Sequence, residues 1–194
     1  MRMLEKFLVR IPERFNSTIK VAGQDLYLAN KFNEFEHRVV EGEVVSTPMK
    51  YEVDVQKGDT LYFHHHVVVD KGQKLMYDDD EIYMVNFHPT MPYASQAFAY
   101  KDQDGEVHPL SNWVLLEPIL AGPKYKSDVL QFVSFEEAVN ERGIVTMVTA
   151  EMEEHGLSTG TIVGFSKNSD YEINIDGKKY WRMRLDDLLY YVKN

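Results

Sequence analysis

The sequence predicts an all-β protein built from two small β-barrels in tandem, and three observations support this fold class. The apolar segments are short and bounded by glycine-containing turns, and none keeps a 3.6-residue period long enough to form a long helix. Asp176-Gly177 lies between two alternating segments, which is the strongest short-range signal of a β-hairpin. The same landmarks also recur about 100 residues apart, as expected for a duplicated domain.

The repeat is clearest in one motif. Phe-x-x-Phe-Glu-x-x-Val-x-Glu occupies residues 32–41 and again residues 132–141. Further along each half, the glycines Gly58 and Gly160 both precede an apolar run, and they are 102 residues apart. The offset between the copies grows only from 100 to 102 residues, as short loop insertions would produce. Two copies are too few for a solenoid. Each copy is therefore expected to be a small domain with its own core.

The domain boundary is placed near residue 94, where prolines punctuate the chain, so the predicted domains are residues 1–94 and 95–194. Residues 100–107 have the pattern of a further hairpin with a polar tip. Helix is expected only in brief pieces, at Phe135–Asn140 and at Asp186–Leu189.

Composition excludes several classes of function. The formal net charge is −10 and the pI is about 5.1, which argues against a nucleic-acid partner, because phosphate binding needs clustered Lys and Arg. The chain contains no cysteine, which rules out disulfides, thiolate metal sites and a cysteine nucleophile. Its start does not have the pattern of a signal peptide, and no apolar run approaches the roughly 18 residues of a membrane span. We expect no membrane association and a cytoplasmic location.

The order of elements in both halves resembles a known family. Gly42-Glu-Val44 is followed by Gly58-Asp59 before an apolar strand in the first half. The second half has Gly160 before the strand that ends at Phe165, then the Asp-Gly hairpin, then a closing apolar strand at residues 184–189. This arrangement, found twice, resembles the GroES-type co-chaperonins of the chaperonin-10 family. The resemblance spans most of both halves.

The resemblance implies a barrel with a long loop after its first strand, whose apolar tripeptide docks on a GroEL-type chaperonin ring. In this chain the loops correspond to Asn16–Arg38 and Gly122–Arg142. The residues in the place of the tripeptide are Leu26, Tyr27 and Leu28 in the first half and Val129 and Leu130 in the second. The resemblance further implies a homo-oligomeric ring that caps the chaperonin and assists ATP-dependent folding. The chain itself would then not be an enzyme and would need no cofactor, because the partner hydrolyses ATP.

Two interpretations of the apolar triplet at residues 26–28 remain open. Such a triplet is either a core strand of the barrel or a docking anchor, and the residue types fit both. The Phe-x-x-Phe motif within each loop favours a packed element over a mobile tail.

A second candidate site, which would give the chain a catalytic rather than a docking function, is the run His64-His65-His66. Gly58 followed by His64, His66 and Asp70 is similar to the first metal-binding motif of the cupins. If the run is a strand, His64 and His66 share one face and can bind a first-row metal through imidazole. A cupin-like metal-binding β-barrel enzyme using this pair is therefore an alternative function.

Two observations count against the cupin interpretation. Its second motif is missing from the sequence, and the equivalents of the histidines in the second half are Ser166-Lys167-Asn168, which cannot rebuild the site. We prefer the simpler interpretation, in which the histidine run ends a strand with His64 and His66 partly exposed. A third possibility is a viral or bacterial β-barrel assembly module without a chaperonin partner.

Overall fold

A computed structural model describes residues 1–12, 18–21, 24–27, 38–69, 73–77, 80–120 and 138–192. The chain divides into two compact units, which consist of residues 1–113 with 175–178 and of residues 114–174 with 179–194. Each unit is built on one antiparallel sheet, of seven strands in the first and six in the second. The predicted all-β class is confirmed. No helix within these ranges is long and apolar enough to cross a bilayer.

Within its described residues the first unit contains nine strands, two of which form a separate hairpin. In spatial order its large sheet consists of β6 (Gln73–Tyr77), β7 (Asp80–Asn86), β1 (Lys6–Arg10), β4 (Glu41–Ser46), β5 (Thr60–Phe63), β8 (Ala97–Lys101) and β9 (Val107–Pro109). Strands β2 (Thr18–Val21) and β3 (Gln24–Tyr27) pair only with each other. A single helical turn, α1 (His66–Val69), connects β5 to β6, and a 3₁₀ turn at Pro92–Ala94 precedes β8.

The second unit repeats this order. Its sheet consists of β13 (Tyr171–Ile175), β14 (Lys178–Arg184), β10 (Trp113–Leu120), β11 (Ala138–Met147), β12 (Ile162–Phe165) and β15 (Leu188–Val192). The short helix α2 (Ala150–Glu154) precedes β12, and a 3₁₀ turn at Leu185–Asp187 precedes β15. When the strands of each large sheet are numbered in chain order, both sheets have the spatial order 4-5-1-2-3-6, and β9 is the one described strand of the first sheet without a described counterpart in the second.

The two glycines of the repeat make the same contacts in both units. Gly58 donates its N–H to the carbonyl of Val44 (2.8 Å), and Val44 donates to the carbonyl of Asp59 (2.8 Å). Val145 forms the matching pair with Gly160 (2.7 Å) and with the residue after it (2.9 Å). Both glycines have positive φ, 95° and 87°, which residues with a side chain rarely adopt. The glycines therefore start β5 and β12 in the same way.

Each sheet covers an apolar core of its own. In the first unit Phe7, which is fully buried, meets Phe87 edge to face with ring centroids 5.2 Å apart. In the second unit Trp181 meets Phe165 in the same manner at 5.6 Å. Such aromatic pairs contribute about 0.5–1.5 kcal/mol beyond their buried area. The alternation of buried and more exposed residues along β4 follows the two-residue period of a half-buried strand.

Both predicted hairpins are confirmed. β13 and β14 flank Asp176 and Gly177, whose φ values of 52° and 83° are both positive, as a type I′ turn requires. β8 and β9 pair across the polar tip between residues 101 and 107. These two strands continue the first sheet beyond residue 94, where we placed the domain boundary, since β8 pairs with β5.

The helix predictions were less accurate. Ala138–Asn140, the described part of the helix predicted at Phe135–Asn140, belongs to strand β11, so that prediction is wrong there. Ala138 pairs with Leu120 of β10, and this long-range pairing overrides the local helix preference. The brief helix predicted at Asp186–Leu189 is a 3₁₀ turn that starts one residue earlier and passes into β15.

Candidate functional site

The segment between β1 and β4 contains the hairpin of β2 and β3. Thr18 pairs with Tyr27 and Ile19 with Leu26, so the hairpin is in continuous antiparallel register. Every residue of β3 is exposed, and Leu26 and Tyr27 keep 48 % and 87 % of their surface accessible. An isolated two-stranded hairpin gains little stability of its own. The hairpin therefore presents the side chains of Leu26 and Tyr27 to solvent.

The predicted docking residues are described only in part. Leu26 and Tyr27 lie in β3, whereas Leu28, Val129 and Leu130 lie outside the described residues. Leu26 and Tyr27 belong to neither large sheet and are not buried in a core, so neither is a core-strand residue, and their role as docking anchors stays a prediction. The phenylalanines of the repeated motif also lie outside the described residues.

The histidine run begins where β5 ends. The strand stops at Phe63, and the N–H of His64 donates to the carbonyl of Gln96 (2.9 Å). The chain then turns, because Val67 donates to the carbonyl of His64 (3.0 Å). His64 and His66 therefore do not alternate along a strand, which is the arrangement that the cupin interpretation needs. Asp70, its third ligand, lies outside the described residues.

The three imidazoles nevertheless lie together. Nitrogen atoms of His64, His65 and His66 that are able to bind a metal all lie within 4.8 Å of one another. The ring centroids are 4.3–4.6 Å apart, and the rings of His64 and His66 are nearly parallel, at 23°. His65 is buried, with 8 % of its surface exposed, while His64 is half-buried and His66 is exposed. Sequence reasoning missed His65, because on a strand it would point away from its neighbours.

The second unit contains an apolar cavity that the sequence did not indicate. Its volume is about 210 Å³. It is lined by Met152, His155, Leu157, Val163, Leu185 and residues 188–191. The ring of Tyr190 lies over Gly164, its partner across the strands, and its hydroxyl accepts a hydrogen bond from Nε of Arg142 (3.1 Å). The LLYYV sequence of β15 is the one signal from which this surface was predictable.

The carboxylate of Asp102 holds the tip of the β8–β9 hairpin together through hydrogen bonds. Asp102 accepts hydrogen bonds from the backbone N–H groups of Asp104 (3.0 Å) and Glu106 (2.9 Å), and its other oxygen lies 2.8 Å from Nε2 of His108. The hydrogen bond with His108 is the main cause that lowers the pKa of Asp102, and the backbone donors act in the same direction. His108 in turn stacks on Tyr100, with centroids 5.0 Å apart. These contacts stabilise a turn.

Burial and neighbouring carboxylates act on Tyr100. Burial is the main cause that raises its pKa, and the negative charges of Asp54, Asp59 and Asp102 add to the effect. A phenol with a raised pKa stays neutral and is a poor general base near neutral pH. Tyr100, His108 and Asp102 are thus linked by a ring stack and a polar contact at the β8–β9 hairpin.

No protein-family model matches the chain, and no curated protein matches it significantly. Functional assignment therefore depends on the described residues. Two groups of described residues are candidates for binding a partner or a ligand: the exposed hairpin of β2 and β3, and the cluster of histidines after β5.

Proposed function

We propose that this chain is a co-chaperonin with two GroES-type domains, which caps a chaperonin ring and assists ATP-dependent protein folding. One observation carries the proposal. Leu26 and Tyr27 are exposed on a hairpin outside both large sheets, in the segment where the family resemblance places the docking loop. Exposed apolar side chains that belong to no core are candidates for contact with a partner.

The repeated strand order supports the duplication on which the proposal depends. Both sheets have the order 4-5-1-2-3-6, with the hydrogen bonds of Gly58 and Gly160 in equivalent places. Between the described strands of the large sheet, the longest stretch of sequence follows the first strand in both units, over residues 11–40 and 121–137. The family has its docking loop at this point. Closure of either sheet into a barrel is part of the proposal, because the described pairings leave end strands in both.

The physical properties of the hairpin suit a partner that must be released. A marginally stable element loses conformational entropy on binding, so a few apolar anchors give moderate affinity and ready release. Several such hairpins on one homo-oligomeric ring strengthen binding through effective concentration. In this scheme the chaperonin hydrolyses ATP, and the co-chaperonin acts in the cytoplasm without a cofactor or enzymatic activity of its own.

A binding experiment tests the proposal. The purified chain is mixed with a GroEL-type chaperonin, with and without ATP or ADP, and the complex is separated by size-exclusion chromatography. We expect nucleotide-dependent co-elution. Native mass spectrometry of the free chain then counts the subunits of its oligomer. An oligomer that shows no chaperonin binding with either nucleotide would contradict the proposal and support a β-barrel assembly module instead.

A further inference from the structure

The backbone after β5 allows three consecutive histidines to meet. On a strand, alternate side chains point to opposite faces, so at most two of three consecutive residues share a face. Here the chain leaves the sheet at Phe63, and its carbonyl groups at His64 and His65 accept hydrogen bonds from Val67 (3.0 Å) and Val68 (2.9 Å). This turn places all three imidazoles on one side.

The hydrophobic residues of α1 hold this turn in place. Val67 and Val68 are buried in the core of the first unit, at 0 % and 4 % exposure. His65, which lies between them and the strand, is buried at 8 %. A buried imidazole on a packed turn is a preorganised ligand, because little freedom remains for it to lose on binding a metal.

The distances are close to those of a metal centre. Zinc binds imidazole nitrogen at about 2.0–2.1 Å, so two ligands of a tetrahedral site are about 3.3 Å apart. The nitrogens of His64, His65 and His66 already lie within 4.8 Å of one another. The rings are stacked, so the exposed His66 and the half-buried His64 must rotate about their side-chain bonds until their in-plane nitrogen lone pairs converge with that of the buried His65. We propose that His64, His65 and His66 together bind one first-row divalent metal ion, with Zn²⁺ as the reference case.

The hydrogen bonding of His64 is compatible with this role. The backbone N–H of His66 points at Nδ1 of His64 (3.3 Å), so this nitrogen carries the lone pair and Nε2 carries the hydrogen in the neutral ring. A metal at Nδ1 replaces a long hydrogen bond and needs no change of tautomer.

The ligand set indicates the class of metal. Three neutral imidazoles suit zinc, copper, nickel and cobalt, whereas magnesium and calcium prefer oxygen ligands. Three protein ligands leave a fourth tetrahedral position for water. The site differs from the cupin interpretation, since it includes His65 and does not require Asp70. Because the second half has Ser166-Lys167-Asn168 at the equivalent positions, we expect one ion per chain.

Titration of the full chain tests the site. The protein carries no polyhistidine tag and is first freed of metal with a chelator. Co²⁺ is followed by its visible absorption and Zn²⁺ by calorimetry. We expect one ion per chain, a tetrahedral Co²⁺ spectrum, and a thermal midpoint that rises with Zn²⁺.

Variants separate a specific site from weak surface binding. His66→Gln changes an exposed residue and the double variant His64→Gln/His66→Gln leaves one imidazole, so we expect affinity to fall at least about tenfold in the first and further in the second. His155→Gln is the matched control, because His155 is an exposed histidine of the other unit. Circular dichroism checks that each variant is folded. Fewer than one ion per chain, unchanged affinity in the double variant, or an equal loss in the control would each overturn the proposal.

Discussion

If the chain docks on a chaperonin as we propose, Tyr27 should contribute more to the binding than Leu26, and the exposed surface of the two side chains gives the size of the difference. Tyr27 is 87 % exposed, and an aromatic side chain buries about 150–250 Å², so docking can remove up to about 130–220 Å² from water. At about 25 cal/mol per Å² this amounts to about 3–5 kcal/mol as an upper bound. Immobilising the side chain costs about 1 kcal/mol, which leaves about 2–4 kcal/mol.

The same reasoning gives a smaller value for Leu26. Its exposed fraction is 48 %, so docking adds about half of the 1.5–3 kcal/mol of a fully buried leucine. After the cost of ordering, less than about 1 kcal/mol remains. Tyr27→Ser should therefore weaken binding roughly 30- to 700-fold per docked hairpin, and Leu26→Ser less than about fivefold.

Surface plasmon resonance on immobilised chaperonin with nucleotide measures these affinities. Urea unfolding should show that both variants keep their free energy of unfolding within about 0.5 kcal/mol, because the side chains are exposed. Tyr93→Ser is the matched control, since Tyr93 is 74 % exposed on the 3₁₀ turn before β8. The reasoning is refuted if Leu26→Ser has the larger effect, if Tyr93→Ser weakens binding as much as Tyr27→Ser, or if Tyr27→Ser binds normally.

Three further predictions concern stability. A Cβ at Gly164 would overlap the ring of Tyr190, so Gly164→Ala and Tyr190→Ala should each lower the free energy of unfolding in urea by about 1–2 kcal/mol. The double variant should lose clearly less than the sum of the two, and additive losses would show that the contact does not matter. The pKa of Asp102 is lower in the folded than in the unfolded protein, so Asp102 stabilises the fold above its unfolded pKa of about 4, and this stabilisation is lost as the pH falls through the folded pKa. The thermal midpoints of Asp102→Asn and of the wild type should therefore converge in acid. A difference in midpoint that stays constant down to about pH 2 would exclude the pairing with His108 as the source of the stabilisation. Phe7→Ala removes a fully buried ring and should cost about 3–5 kcal/mol by the same measurement, whereas a cost below 1 kcal/mol would mean that this core is not packed as described.

Local signals predicted the fold class well. The Asp176-Gly177 turn and the glycines Gly58 and Gly160 depend on positive φ, which few residue types adopt, so short motifs are sufficient to locate the strands around them. Where the secondary structure depends on pairing with a distant segment, the prediction from the sequence was wrong. Ala138 lies in a strand because Leu120 pairs with it, and no local pattern reveals that contact.

The histidine site shows the same limit more sharply. The sequence interpretation named His64, His66 and Asp70, because the two-residue period of a strand was extended past Phe63, where the strand ends. The backbone hydrogen bond from His64 to Gln96 marks the end of the strand. Because Gln96 lies 32 residues later in the chain, the sequence does not reveal this hydrogen bond. His65 was therefore left out of the metal interpretation although it is the most buried of the three.

Strands β5 and β12 hold the same place in their sheets, yet the tripeptides that follow them are not interchangeable. After β12 the chain passes through Asn168 with φ of 63°, a left-handed conformation that costs a histidine roughly 1–2 kcal/mol. Grafting three histidines onto residues 166–168 would therefore not transfer the cluster without also reshaping the backbone. Where two sheets share a strand order, the sheet fixes where a ligand cluster can be placed, and the path of the next three residues decides which of the two sheets is able to hold it.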